Sequence, residues 1–441
     1  ALNEKEVRDV IAVANRYGLP VTFRAAGTSL SGQASTDSIL VLAGQGWEKY
    51  EVLEEGRAIR TQTGIVGARL NQILKPYGVK IGPDPASVGS AMIGGIVANN
   101  ASGMNGTCEN AYQTLRSARI ILMDGTVLDT GSHQSREDFL NTHTDFIARI
   151  IEIRDRVRAT PSLYERIKKK YSIKNTTGIS INPFVDFDDP FDIITHLMVG
   201  SEGTLAFISE MTLETLPLIP YKASAMLYFG NITDACRAVQ KLKPLPVDSA
   251  ELLDRLSLRA VEDNDGIPSF IKDLPDGATA VLLETKAMTP EELAVNIEAV
   301  KSAVSGFETL HPIEFTDKPE EYSKYWKIRS GVFPSVGGLR PTGTSCLIED
   351  IVFPLDVMPE AVTDLQKLIA DHGYKDGCIY GHSIEGNFHF IINQNFSDDA
   401  EVKRFEGLID AVVDLVVDKY DASLKGEHGT GRNIAPFVRR E

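Results

Sequence analysis

Apolar residues recur with helical spacing over residues 3–17, where Val7, Val10, Ile11 and Ala14 share one face. Asn3 stands at the N-cap position and Glu4 and Glu6 fall in the first turn, while Gly18 and Pro20 stop the helix. The apolar run 21–23 then resumes as a strand, and 39–42 reads as a second, buried strand. Residues 51–63 predict a hairpin turning at Glu55-Gly56, residues 70–77 a short helix, and residues 117–130 a hairpin turning at Asp124-Gly125. Residues 133–176 change character: they are helical, charged and free of turn signals, as an insertion on a first domain would be.

After Pro217 strands and helices alternate: strands at 223–229, 278–284 and 345–353, helices at 232–241, 290–304 and 359–372. A strand pair follows over 376–391 and a long helix over 399–420. This order predicts an α+β chain with a first domain at 1–217, a second at 218–423 and a tail at 424–441.

Three glycine-rich stretches interrupt the pattern. Residues 23–34, FRAAGTSLSGQA, combine Gly27 and Gly32 with small hydroxyl side chains. Such a turn either aims several backbone N–H groups at an anion, with a diphosphate as the natural guest, or is a plain surface loop. Residues 81–104 hold prolines 83 and 85 and then Gly94, Gly95 and Gly103, which suits either a flat ligand against the backbone or a buried helix start. Residues 196–217 place a Gly200-x-x-Gly203 turn between two apolar strands.

Composition narrows the class. At 441 residues, 43% hydrophobic and 24% charged, the chain reads as a globular protein of two or three domains. No apolar run reaches the roughly 18 residues that span a bilayer. A net charge of −16 argues against a nucleic-acid partner. The basic run from Arg154 through Lys168, Lys169 and Lys170 to Lys174 is the main exception, either a solvated helix face or a docking patch. Four scattered cysteines form no C-x-x-C pair, which fits a reducing, cytoplasmic setting with at most peripheral contact at the inner membrane face. The start at Ala1 and the abrupt end at Glu441 suggest a piece of a longer polypeptide.

Candidate chemistry gathers late in the chain. Three of the eight histidines, His382, His389 and His428, lie in two glycine-bracketed segments, YGHSIEGNFHF and KGEHGTGR. A bend at Gly381 or Gly386 would bring His382 and His389 together, and Glu427 would complete a two-His, one-carboxylate metal site with open positions. In YWKIRSG, Arg329 is either a guanidinium set against a carboxylate or the exposed end of an amphipathic helix. No complete dinucleotide fingerprint, P-loop or nucleophile elbow is present, which weighs against a nicotinamide enzyme, an NTPase and a serine hydrolase.

Taken in order, these segments resemble the FAD-dependent oxidoreductases of the vanillyl-alcohol oxidase and p-cresol methylhydroxylase type. Within that group they look like the D-2-hydroxy-acid dehydrogenases, the branch of D-lactate and D-2-hydroxyglutarate dehydrogenases and the glycolate oxidase flavin subunit. The resemblance implies a two-subdomain FAD-binding domain, a ferredoxin-like α+β substrate (cap) domain and a tail returning to the flavin. It places Ala25, Ala26, Gly27, Thr28, Ser29 and Gly32 at the FAD diphosphate, and Pro83, Asp84, Gly94, Gly95, Asn99, Ser102 and Gly103 along the cofactor. Gly200, Glu202, Gly203 and Ile208 join them.

It further makes His382, His389 and Glu427 ligands of a divalent metal, zinc- or manganese-like, with His428 the proton acceptor and Arg329 the carboxylate anchor. The flavin is expected to be non-covalent, because Gly27-Thr28-Ser29 stands where covalent relatives carry a histidine. The implied reaction oxidises D-lactate or D-2-hydroxyglutarate to the 2-oxo acid, by metal-assisted proton abstraction and hydride transfer to flavin N5. Electrons would pass to an iron–sulfur domain beyond Glu441 or to a quinone. The competing expectation is an oxidase of an alcohol, phenol or sugar that uses oxygen.

Two positions depart from the D-2-hydroxyglutarate pattern. A lysine and an asparagine that help hold that substrate fall where this chain has Thr344 and Ile391, so either the substrate is smaller or a residue such as Arg340 meets its second carboxylate.

Overall fold

The side chain of Asn3 accepts from the Glu6 amide at 3.0 Å, so the helix Glu4–Tyr17 starts capped, and it closes at Gly18 in the left-handed region. Val7 and Ile11 on its buried stripe pack with Trp47, Ile121 and Phe207. The structure, a computed structural model, describes residues 1–103 and 109–441. Met104, which closes the second glycine-rich stretch, and Cys108 lie outside the described residues. The chain divides into two units, Ala1–Leu218 with Glu427–Val438, and Ile219–Gly426 with Arg439–Glu441.

In the first unit β1 (Val21–Arg24) and β2 (Ile39–Leu42) form a parallel pair. A second sheet is built from β3 (Tyr50–Leu53), β4 (Ala58–Gln62), β5 (Val79–Ile81), β6 (Leu115–Ile121), β7 (Val127–Asp129) and β8 (Phe207–Pro217). Its order is β3-β4-β8-β6-β7, with β5 pairing the last residues of β8. Helices His133–Thr142, Thr144–Ala159 and Pro161–Lys170 send Phe139, Ile147, Ile150, Val157 and Ile167 into the core that holds Ile59, Ile120 and Leu213.

One expectation changes here, and one alternative is decided. The segment before the Gly200–Gly203 turn is not a strand but the helix Pro190–Leu197, capped by Asp189, whose carboxylate accepts from the Phe191 and Asp192 amides. That helix is buried along Phe191, Ile193, Ile194 and Leu197, and so short a mostly apolar run carries no period that separates helix from strand. The second glycine-rich stretch resolves into a helix, Ile93–Asn99, entered through Pro83 and Pro85 and closed by Asn100 at a φ of 55°.

The second unit is one antiparallel sheet of β9 (Tyr221–Phe229), β10 (Ser249–Leu253), β11 (Thr279–Ala287), β12 (Ser345–Val352), β13 (Cys378–His382) and β14 (Asn387–Gln394). The order is β12-β14-β13-β10-β11-β9. The register sets Met226, Tyr228, Leu253, Ala280, Leu282, Ile348, Tyr380 and Ile391 on one face, where they pack against Ile328, Val332 and Val336 of the helix Pro319–Leu339. That 21-residue helix runs straight through Gly331 and Pro334, where sequence preference signals a turn. Burial of the i, i+4, i+8 stripe overrides the local cost.

Candidate functional site

The first unit carries a cleft of about 230 Å³ lined by Ala25, Ala26, Gly27, Thr28 and Ser29 of the loop after β1. Gly95, Asn99, Glu202, Glu427 and His428 line it as well. A smaller cavity of about 70 Å³ shares Ala25, Gly95 and Glu202 with it and adds Gly94, Gly203 and Ile208. Gly27 and Gly32 sit at φ of 72° and 87°, a region closed to most side chains, which lets the loop fold back on itself. Gly95 opens the wall: a Cβ there would meet only the Ala25 methyl, at 3.5 Å, and would otherwise fill the cavity.

Other expected residues stand behind the lining. Asp84 bridges Gly103, and its amide donates to the Ser102 carbonyl at 3.3 Å, which ties the segment at Pro83 to the segment after the helix. Gly200 donates to the Val97 carbonyl, and Gly32 lies against the Arg432 side chain.

The tail segment of this unit is sewn to the first two glycine-rich stretches, and Gln33 links it onward to the third. Gln33 donates through Nε2 to the His428 carbonyl at 2.7 Å and to Glu202 Oε1 at 2.9 Å. Asn99 donates to the Glu427 carbonyl at 2.6 Å, and the Arg432 amide donates to the Ser31 carbonyl. Glu427 Oε2 receives the Gly103 amide at 2.8 Å and the Ser102 hydroxyl and Lys174 ammonium at 3.3 Å each.

Lys174 therefore leaves the basic run in which the sequence placed it. It is buried against Glu427 and also donates to the Gly103 carbonyl at 2.7 Å, while Lys168 and Lys169 stay exposed. Downstream, the Gly429 amide donates to Thr176 Oγ1 and the Gly178 amide to Thr430 Oγ1, so residues 174–178 clamp the tail. Lys174→Met would strand a buried carboxylate, which costs about 3–5 kcal/mol when one partner of a buried pair is removed. A calorimetric scan should show the first unit melting several degrees earlier, at ~2–4 °C per kcal/mol for its size.

In the second unit the sheet face that is apolar under the helix Pro319–Leu339 turns polar further along. Ser249, Glu251, His382, His389, Asp350 and Asn387 follow one another across β10, β13, β14 and β12. Gly386, at a φ of 65° between β13 and β14, makes the turn that returns the chain, and the His382 and His389 rings stand edge to face at 5.4 Å. His382 Nδ1 lies 2.7 Å from Glu251 Oε1, and His389 Nδ1 lies 3.3 Å from Asp350 Oδ1. Arg329 donates through Nε to Glu251 Oε2 at 2.6 Å and lies over the Tyr380 ring. Burial opposes the charge of Glu251, yet His382 and Arg329 hold its carboxyl well below the usual range.

Arg329 is thus neither at a turn nor on the surface: it sits mid-helix, its side chain 13% exposed. Ile391 belongs to the apolar cluster, and Arg340 is exposed, its guanidinium engaged with the Thr344 and Gly337 carbonyls. Sequence reasoning missed Glu251, Asp350 and Lys174. SAELLDRL carries no motif that singles out its glutamate, and only strand register sets it opposite His382. No helix among the described residues is long and apolar enough to cross a membrane.

Residues 1–131 match an FAD binding domain, and residues 219–441 match the family described as FAD linked oxidases, C-terminal domain. The chain is 25% identical over 437 residues to glycolate oxidase subunit GlcD of Escherichia coli (strain K12), covering 97% of this chain and 74% of that protein. To D-2-hydroxyglutarate dehydrogenase of Haemophilus influenzae it is 24% identical over 463 residues, 97% of this chain but only 44% of the relative. To the mitochondrial D-lactate dehydrogenase [cytochrome] of Arabidopsis thaliana it is 24% identical over 449 residues, 100% of this chain and 67% of the relative. Among solved structures, p-cresol methylhydroxylase with substrate bound superposes with a TM-score of 0.64 at 13% identity, over 98% of this chain and 81% of its own. The 4-ethylphenol oxidase from Gulosibacter chungangensis gives 0.63 at 14%, over 94% and 78%. These likenesses establish the α+β fold of the p-cresol methylhydroxylase type expected from the motifs.

Proposed function

This chain belongs to the FAD-linked oxidases, and from that membership we propose that it oxidises a D-2-hydroxy acid to the 2-oxo acid. That it is an FAD-dependent oxidoreductase follows from the family itself. The substrate class rests on one observation above others. Arg329, a half-buried guanidinium held by a carboxylate, shares its polar sheet end with two imidazoles, a chemistry suited to an anionic hydroxy acid rather than to a neutral phenol. Relatives named for glycolate, D-lactate and D-2-hydroxyglutarate support the same class.

The residue roles are proposed one by one. Ala25, Ala26, Gly27, Thr28 and Ser29 would hold the FAD diphosphate, while Gly94, Gly95, Asn99, Glu202, Gly203 and Ile208 would line the rest of its bed. The cleft fits that guest, being shaped by backbone and small side chains, with Gly95 leaving the space a methyl would take. When bound, FAD supplies the two-electron acceptor and a divalent cation supplies Lewis acidity to the hydroxyl oxygen. His382, His389 and Glu427 are the residues proposed to hold that cation, zinc or manganese. Arg329 orients the carboxylate and His428 removes the hydroxyl proton. An iron–sulfur domain or a quinone is the proposed electron acceptor.

Ile391 in the apolar cluster and Arg340 bound to main-chain carbonyls favour a small side chain on the substrate, of D-lactate size. The test is an anaerobic flavin-bleaching screen of D- and L-2-hydroxy acids, with and without a chelator. D-Lactate should bleach fastest and the chelator should slow it. Faster bleaching by the L-enantiomers would overturn the stereochemical assignment, and fast peroxide release with a phenol or alcohol in air would replace this reading with that of an oxidase.

A further inference from the structure

Glu251 enters neither the family expectation nor the roles above, yet its carboxylate touches two of their residues. It is 1% exposed on β10, opposite His382 in the register, and each oxygen meets a different partner: Oε1 His382 Nδ1 at 2.7 Å, Oε2 Arg329 Nε at 2.6 Å. The Ser249 hydroxyl, two residues earlier on the same face, donates to Oε1 at 3.4 Å.

A carboxylate is acceptor-only, so a ring nitrogen against it is the protonated one, and the lone pair of that imidazole is then on the other nitrogen. A carboxylate–histidine–metal chain is how proteins fix ring orientation and raise ligand basicity. The same carboxylate meets the guanidinium along its Nε side, which turns the terminal Nη edge toward any carboxylate gripped end-on.

We propose that Glu251 is the positioning residue that joins the two halves of substrate recognition in this unit. It sets His382 in the Nδ1–H tautomer, so that Nε2 is the metal-ligating atom, and it fixes the angle at which Arg329 meets the substrate carboxylate. The inference rests on the metal-assisted 2-hydroxy-acid reading above. Glutamine is the informative replacement, because its single carbonyl oxygen serves one donor and sets an amide N–H against the other.

The holoenzyme is stripped of metal, and Mn²⁺ alone is titrated into wild type, Glu251→Gln and His382→Ala while the melting temperature and FAD content of each are followed. Glu251→Gln should bind Mn²⁺ about 10–100-fold more weakly than wild type. It should also raise KM for D-lactate as well as lowering kcat, with FAD retained. Unchanged Mn²⁺ affinity in Glu251→Gln, beside loss in His382→Ala, overturns the role of Glu251 and leaves the metal reading intact. A wild-type protein that takes up neither Mn²⁺ nor Zn²⁺ overturns both.

Should the variant not fold, the wild-type tautomer decides. Nitrogen-15 spectra of the histidine rings, with the His382 signal assigned from His382→Ala, should show its proton on Nδ1. A proton on Nε2 would end the proposal.

Discussion

His428→Asn is expected to slow flavin reduction by a D-2-hydroxy acid by about 10²–10⁴-fold, the contribution of a well-placed general base. FAD content and substrate affinity should stay close to wild type. The separation follows from how the tail is held. The His428 carbonyl accepts from Gln33, the Glu427 carbonyl from Asn99, and the Gly429 amide donates to Thr176, so main-chain bonds carry the loop. The imidazole lines the cleft and bears none of these bonds, and its removal leaves the path of the chain unaltered. Stopped-flow bleaching of pre-bound flavin reads the chemical step directly, and added imidazole should restore part of the rate. Full-speed bleaching in the variant would dismiss His428 as the base and leave the proton acceptor to be sought elsewhere in the cleft.

The same anchoring explains what the sequence could and could not disclose. Local signals carried the helix Glu4–Tyr17, the hairpin turns and the alternation in the second unit, because caps, turn residues and apolar periods act within a few residues. The turns at Gly27 and Gly32 were legible, since a left-handed backbone position favours glycine. The helix through Arg329 was not legible: Gly331 and Pro334 speak for a break, and only burial of Ile328, Val332 and Val336 answers them.

Lys174 and Glu251 were hidden for a different cause. Each has an ordinary neighbourhood in sequence, a basic run in one case and a stretch without a motif in the other. Their significance comes from partners 253 and 131 residues away in the chain: Glu427 for Lys174, and His382, which lies opposite Glu251. Charge patterning describes the chain before folding, whereas a buried ion pair is decided by the fold that surrounds it.

Two glycines of the FAD-binding unit should respond to the same substitution with opposite signs, and this contrast tests the cofactor bed most sharply. Gly103→Ala places a Cβ on the Asp84 carbonyl in a residue at a φ of 64°, which costs about 1–2 kcal/mol in backbone alone. If the amide then swings away from Glu427, a charge-assisted hydrogen bond worth about 1.5–3 kcal/mol goes with it. The apoprotein should melt earlier.

Gly95→Ala meets only the Ala25 methyl at ordinary contact distance inside the helix Ile93–Asn99, so the apoprotein should gain up to about 1 kcal/mol from the lost glycine entropy. Its methyl, however, projects into the cleft, where overpacking against a bound ring system costs about 1–3 kcal/mol. That is a weakening of FAD binding by roughly 5–150-fold at 1.4 kcal/mol per decade. Apoprotein melting curves beside FAD titrations by flavin fluorescence separate the two effects. A Gly95→Ala protein that binds FAD as tightly as wild type would show that the cofactor lies elsewhere than against this helix.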